Sequence, residues 1–178
     1  LLQKTELRED LEMVYTNLSG CYVALGRNNE AIEAADKAIG IDSNSPVAYM
    51  NKGIAQLRLD SYSEAIQSLQ KFKDLGGQDF DVDRHIAFCA LRNNQLDLAE
   101  KTIESELESN SKIDLDIAEL AIDLYSRRLY KEKLEALLKR LEEDFSDNPQ
   151  ALRMRGLYLR RIGDVRAESL LKKFYDLA

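Results

Sequence analysis

The sequence predicts an all-α protein made of stacked helical hairpins, and three observations carry that prediction. The stretch from Glu12 to Ser45 returns 34 residues later as Pro46 to Asp79: Tyr15 recurs as Tyr49, and Glu30-Ala31-Ile32 recurs as Glu64-Ala65-Ile66. A fixed period in this range marks repeated helical units that bury their faces against one another. Small residues recur where two helices must cross, and a turn falls midway in each stretch. Two prolines and eight glycines in 178 residues favour long uninterrupted helices over a sheet with many turns.

Taken in order, residues 1–11 form an N-terminal helical extension, either the last turns of an earlier helix or the start of the first one. Leu7 and Leu11 are spaced i, i+4, share one helical face, and are expected to cover the open end of the stack. Residues 12–178 then divide into units of about 12–45, 46–79, 80–113, 114–148 and 149–178. Each holds a first helix, A, and a second, B. In the first unit helix A spans about Glu12 to Leu25 and helix B about Glu30 to Ile41. Gly26 suits the left-handed residue that closes helix A, and Asn29 suits the N-cap of helix B. Ala31, Ala35 and Ala38 give a flat stripe on which the partner helix lies close.

Ser45-Pro46 and Asn148-Pro149 hold the only prolines, and each reads as a cap followed by proline at the first helical position, where its missing N–H is not needed. Gly76-Gly77 ends the second helix B and reads as the most flexible joint. The third unit starts at Phe80 and keeps Ala87, Ala99 and Ile103. Asp79, Asp81 and Asp83 precede or enter its first helix, where they favour the helix dipole. The fourth unit, from Asp114, keeps Leu120-Ala121, Leu124 and Tyr130 but places Lys133 where alanine belongs, which predicts a looser helix pair. The fifth keeps Gly156, Gly163, Ala167, Leu171 and Phe174. Its turn is one residue short and the fourth unit's tail one residue long, so Ala31, Ala65, Ala99, Lys133 and Ala167 keep strict 34-residue steps. The apolar tail from Phe174 to Ala178 has no polar capping helix after it, which predicts that the parent chain continues or that this end packs on something.

The pattern resembles the tetratricopeptide repeat (TPR), a helix-turn-helix unit of this period. The resemblance rests on Tyr15, Leu18-Ser19, Tyr22, Gly26, Ala31, Ala35 and Ala38 in the first unit. In the second it rests on Tyr49, Lys52-Gly53, Gln56, Asp60, Ala65, Leu69 and Phe72. It covers residues 12–178, strongly in units one and two, fairly in five, and in degenerate form in three and four. It implies a right-handed α-α superhelix, a solenoid of about five units, whose A helices line a concave groove.

Charge is uneven. Residues 1–126 hold 12 Lys or Arg against 23 Asp or Glu, and residues 127–178 hold 13 against 9, so an acidic body with a net −11 carries a basic end with a net +4. That balance disfavours bulk nucleic-acid binding, which needs a continuous basic surface. No apolar run reaches the roughly 18 to 20 residues that span a bilayer, so no membrane insertion is expected. Cys21 and Cys89 both fall at the tenth place of their units. They read as buried, reduced thiols too far apart to bridge, because a disulfide needs a Cα separation below about 7 Å. That tilts the location to the cytoplasm.

Chemistry is sparse. His85 is the only histidine, no phosphate-cradling glycine loop is present, and the Asp79-Asp81-Asp83 cluster lacks the turn and bidentate glutamate of a calcium loop. No enzyme activity, cofactor or metal site is expected. The groove carries the functional reading. The resemblance places it at helix-A places 2, 5, 6, 9, 12 and 13. Met13, Val47, Met50, Ile54, Phe88, Ile122 and Leu157 put apolar side chains there, with Asn17, Asn51, Arg84 and His85 beside them. In relatives that grip the acidic C-terminus of heat-shock chaperones, lysine or arginine stands where this chain has Met13, Asp81 and His85, so that clamp lacks its cations. Asn17 and Asn51 keep the asparagine of that pattern and would bond a peptide backbone. Arg153, Arg160 and Arg161, with Arg155 nominally inward, suggest an anion site for an acidic segment of a partner. The leading expectation is a protein-protein interaction scaffold that takes a partner's peptide or helix. Alternatives are a structural spacer or self-association segment, using the C-terminal end, and a regulatory arm of a larger protein whose catalytic domain lies elsewhere.

Overall fold

The computed structural model describes residues 2–79, 81–109 and 112–177, with side chains from Leu7 onward. Leu1, Phe80 and Ala178, which the sequence places at unit edges, lie outside the described residues. Among those described there are ten α-helices and no strand. They are α1 (Leu2–Ala24), α2 (Asn28–Ile41), α3 (Pro46–Arg58), α4 (Tyr62–Asp74), α5 (Val82–Arg92), α6 (Leu96–Ser109), α7 (Leu115–Arg128), α8 (Lys131–Asp144), α9 (Pro149–Arg161) and α10 (Arg166–Leu177). They fall into two compact units that meet inside α6, one up to Leu98 and one from Ala99.

The odd-numbered A helices end alike, and the reason is local. Gly26, Asp60, Asn94, Leu129 and Gly163 all have positive φ. At each, the next residue's N–H returns to a carbonyl five residues back: Arg27 to Tyr22 at 2.9 Å, Ser61 to Gln56 at 2.9 Å, Gln95 to Ala90 at 2.8 Å, Tyr130 to Tyr125 at 2.9 Å and Asp164 to Leu159 at 2.9 Å. This is the Schellman closure, which satisfies the last carbonyls of a helix and turns the chain back. The same closure ends α4, where Gly77 N–H meets Phe72 O at 3.0 Å. A Cβ on Gly77 would lie 2.2 Å from the Phe72 ring. The pair expected as the most flexible joint is thus a hydrogen-bonded cap with a ring packed against it.

Within the first unit, α1 packs on α2, α3 on α4, and α1 also touches α3 while α3 touches α5. No comparable contact joins α2 and α4 among the described residues. The A helices are therefore the closely spaced row. The core follows the small-residue stripe: Ala31, Ala35, Ala38, Ala55, Ala65 and Leu69 are buried completely. At the crossing of α3 and α4 a Cβ on Gly53 would come within 2.7 Å of Leu69. At the same place in the first pair Ser19 is buried and donates its hydroxyl to Ala31 O at 2.9 Å. Gln56, which departs from the aromatic of the first repeat, accepts from the Ser68 hydroxyl at 2.7 Å, so the polar substitution is satisfied inside.

Within the second unit, α7 packs on α8, α9 on α10, and α7 touches α9. The left-handed residues are spaced 34, 34, 35 and 34 apart, so the extra residue precedes α7 and belongs to the third unit's tail, not the fourth's. The fourth unit therefore runs one residue later than the sequence reading. Leu134 N–H bonds Tyr130 O at 3.0 Å as Ala31 N–H bonds Arg27 O at 3.0 Å. Leu134, Leu137 and Leu141 are buried while Lys133 is exposed. Leu134, not Lys133, thus occupies the alanine place. The looser pair does follow, since α7 and α8 pack more sparsely than α1 with α2 or α3 with α4. Its cause is Leu134 and Ile122 standing where other units use small residues. The fifth turn is one residue short, as expected: Ala167 is buried four residues after Gly163, and a Cβ on Gly156 would lie 2.8 Å from Leu171.

Other expectations change in detail. Residues 2–11 extend α1 without a break and do not form a separate element. Leu7 and Leu11 on that extension are exposed. Helix α2 begins one residue before Asn29, with Arg27 as N-cap and no side-chain cap bond. Ser45 stands at the N-cap of α3, yet its hydroxyl donates to Glu12 of α1 at 2.5 Å instead of capping. Asn148 does cap, accepting from Ala151 N at 3.1 Å. Cys89 is buried, and burial pushes its thiol up to about 12. Cys21, expected to be buried like it, is exposed.

Candidate peptide groove

In the first unit the face expected to form the groove belongs to the row α1, α3 and α5, in which α1 touches α3 and α3 touches α5. Met13 and Val47 are exposed on it, and Met50 and Ile54 are half-buried. Exposed apolar side chains clustered on one face are more telling than isolated ones. Asn17 is exposed, whereas Asn51 is drawn inside: it is 7% exposed and donates its amide to Thr16 O at 3.1 Å. Asn51 thus ties α3 to α1 and does not project as a peptide clamp. Arg58 adds a second tie of the same kind, donating to Val23 O.

On α5, Arg84 is paired with Asp81 at 2.7 Å. His85 is half-buried, its Nδ1 is enclosed without a hydrogen-bond partner among the described residues, and burial holds its pKa below the usual histidine value, helped by Arg84 and opposed by Asp81. Phe88 is at the rim of exposure and joins a stack the sequence reading missed. Its ring meets Tyr62 edge-on at 6.1 Å, and the Arg92 guanidinium lies 5.7 Å from the Tyr62 ring and 6.0 Å from the Phe88 ring. Arg92 holds the thirteenth place of its helix, a place the groove pattern includes, so the signal was available. Tyr62 opens a B helix, and no groove pattern points to it.

In the second unit α7 and α9 pair place for place. Gln150 donates to Asp116 at 3.1 Å, and Arg153 bridges Glu119 at 3.3 Å. The shifted register makes Asp123, not Ile122, the counterpart of Phe88 and Leu157. Ile122 sits one place earlier and, with Leu157, Met154, Tyr158, Asp123 and Arg161, still lines a hollow of about 240 Å3. The arginine cluster is only partly available. Arg153 is engaged by Glu119, and Arg155 is buried against Glu142 at 2.9 Å. Asp164, just beyond the cluster, bonds Arg166, which holds its carboxyl down to about 2. Arg160 and Arg161 remain exposed. Among the described residues no group of three or more His, Cys, Asp or Glu is placed to hold a metal ion, and no helix is long and apolar enough to cross a membrane.

The family model for the tetratricopeptide repeat matches residues 14–45. Those residues are a tetratricopeptide repeat. TPR proteins similar to the chain include the mouse (Mus musculus) tetratricopeptide repeat protein 12, 30% identical over 102 residues, which are 57% of this chain and 14% of that protein. The Hsp70-Hsp90 organizing protein of wheat (Triticum aestivum) is 24% identical over 141 residues, 78% of this chain and 22% of that protein. The chain thus spans less than a quarter of either relative. Among solved structures, YrrB, described as a TPR protein with an unusual peptide-binding site, superposes with a TM-score of 0.75 at 18% identity, covering 99% of this chain and 91% of that one.

Proposed function

We propose that this TPR chain is a non-catalytic protein-interaction module whose A helices take a peptide or helix from a partner. The observation that carries the reading is the apolar row on the inner helices of the first unit, Met13, Val47, Ile54 and Phe88, which water would not otherwise be left to cover. The relatives support it through the organizing role in the wheat protein's name and the peptide-binding site ascribed to YrrB. The partner's chemistry differs from an acidic chain terminus in the first unit, because Met13, Asp81 and a half-buried His85 supply no fixed cation there. It is apolar over the first unit, and the second unit's Arg160 and Arg161 add a preference for an acidic segment. The Tyr62-Arg92-Phe88 stack suits an apolar or aromatic side chain inserted at its edge. We place the module in the cytoplasm, where its exposed Cys21 thiol stays reduced.

Titration of candidate partner peptides against Ile54→Glu and Phe88→Glu tests the groove. Loss of about tenfold or more in affinity in each is expected, since a buried apolar anchor is worth more than about 1 kcal/mol. Unchanged affinity in both variants overturns the groove assignment.

A further inference from the structure

One place in successive A helices is always arginine. Arg58, Arg92, Arg127 and Arg161 stand in the last turns of α3, α5, α7 and α9, each two residues before the left-handed residue that closes the helix. A cation there favours the helix dipole, and that would serve any helix. Yet α2, α6, α8 and α10 have no basic residue in their last turn, and of the B helices α4 alone does. The dipole by itself therefore does not place these arginines.

What stands one turn before each arginine points to their use. In α3, α5 and α9 the residue four positions earlier is apolar: Ile54, Phe88 and Leu157. Residues at i and i+4 share a helix face, so each of these helices presents an apolar side chain with a guanidinium one turn further on. In α7 the same residue is Asp123, and it takes Arg127 at 2.7 Å. Where no apolar residue precedes the arginine, the chain thus supplies a carboxylate of its own. Arg58 donates to Val23 O, Arg92 lies over the Tyr62 and Phe88 rings, and Arg161 borders the hollow between α7 and α9. All three are exposed. A guanidinium carries five N–H donors, so one carbonyl bond or one ring contact leaves much of its fork available.

That hollow sets the size of a guest. Its volume of about 240 Å3 falls below the roughly 300–1,000 Å3 of small-molecule sites, which leaves room for a partner's side chain. Ile122, Met154 and Leu157 make its wall apolar. Its carboxylates, Glu119 and Asp123, are held by Arg153 and Arg127. Arg161 is the charge left to a guest.

We propose that the partner segment carries an acidic residue beside each apolar anchor. The anchor packs on Ile54, Phe88 or Leu157, and its neighbouring carboxylate meets Arg58, Arg92 or Arg161 one turn along the same helix. The inference rests on the groove reading above and extends the acidic preference from α9 to α3 and α5. The two units offer their pairs separately, two in the first and one in the second. Arginine suits the role because its planar fork takes a carboxylate through two parallel N–H bonds. A basic segment would set like charge beside every anchor.

A random peptide library displayed on phage and selected on the 178-residue chain tests this. The wild type is expected to enrich Asp or Glu next to Leu, Ile, Met or an aromatic residue. Selection on Arg92→Glu/Arg161→Glu should keep the apolar residues and exchange the acids for Lys or Arg. Peptides from the wild-type pool should bind that variant about tenfold or more weakly, the size of a hot-spot loss. Its helical circular dichroism should match the wild type, since both side chains are exposed. Arg161→Glu alone, away from the Tyr62 stack, carries the same prediction at smaller amplitude. Lys139→Glu reverses a charge of the same sign on the exposed face of α8 and should leave the selection as it is. An apolar pool with no acidic preference overturns the proposal and leaves the groove reading standing. An acidic preference that survives in the arginine variants, or shifts equally in Lys139→Glu, also overturns it. A library from which nothing is enriched overturns the groove reading itself, and this inference with it.

Discussion

His85 shows how one side chain's surroundings set a property of the whole molecule. It is the only histidine, and histidine is the side chain whose ordinary pKa lies between about pH 5 and 8. Burial lowers its folded pKa, so the folded state resists the proton that the unfolded state accepts near 6.5. Its contribution to stability is then present above about 6.5 and is lost as pH falls through the depressed folded value. Chemical denaturation at pH 7.5 and at pH 5.5 should give a lower unfolding free energy at the acid end. In His85→Gln that slope should flatten, and an equal slope in both proteins would remove His85 as its source. Sequence reasoning put His85 on the groove helix but had no means of predicting its burial. The same holds for Asn51 and Cys21, whose surroundings are made by residues some thirty positions away or by none at all.

At the scale of the element, the five A helices close by one device, and the residue at its left-handed position differs from repeat to repeat. Gly26 and Gly163 take a positive φ freely, while Leu129 holds φ +59 with its side chain 78% exposed. A left-handed conformation costs a non-glycine residue about 1–2 kcal/mol. Leu129→Gly therefore should stabilise the chain by about 1 kcal/mol, because the side chain it removes packs on little. Gly26→Leu should cost a similar amount. Urea unfolding of the two variants checks both signs, and a Leu129→Gly protein less stable than wild type would show that the leucine is held by contacts. Gly26 was legible in the sequence because glycine is the expected residue there. Leu129 was not, and that silence concealed the one-residue shift of the fourth unit.

For the whole molecule, the acidic body and basic end seen in the sequence carry over to the surface in reduced form. Arg153 and Arg155 are engaged by Glu119 and Glu142, so the exposed positive charge of α9 is Arg160 and Arg161. Charges of this kind act on encounter more than on affinity, and salt above about 0.1 M screens them. Reversal to Arg160→Glu and Arg161→Glu should slow association with an acidic partner peptide, with the difference from wild type shrinking as salt rises. Thermal stability should move little, since exposed substitutions usually stay within about 0.5 kcal/mol. Association rates indifferent to both the reversal and the salt would reduce the two arginines to solvated side chains.

The sequence by itself determined that the chain is helical, that its period is 34 residues, and where most turns fall. These follow from spacing, small residues and glycine or proline at fixed offsets, all of which act over a few neighbouring residues. Tertiary structure decided what lies against what. Leu134 and Lys133 are adjacent, and counting in steps of 34 selects the lysine; only packing reveals that the leucine goes inside. Val14, Leu18 and Cys21 match Ala48, Ile86 and Ala55, which are buried, yet among the described residues no helix covers them. Burial depends on the neighbouring helix, and a repeat pattern read along one chain assigns every unit the same neighbours.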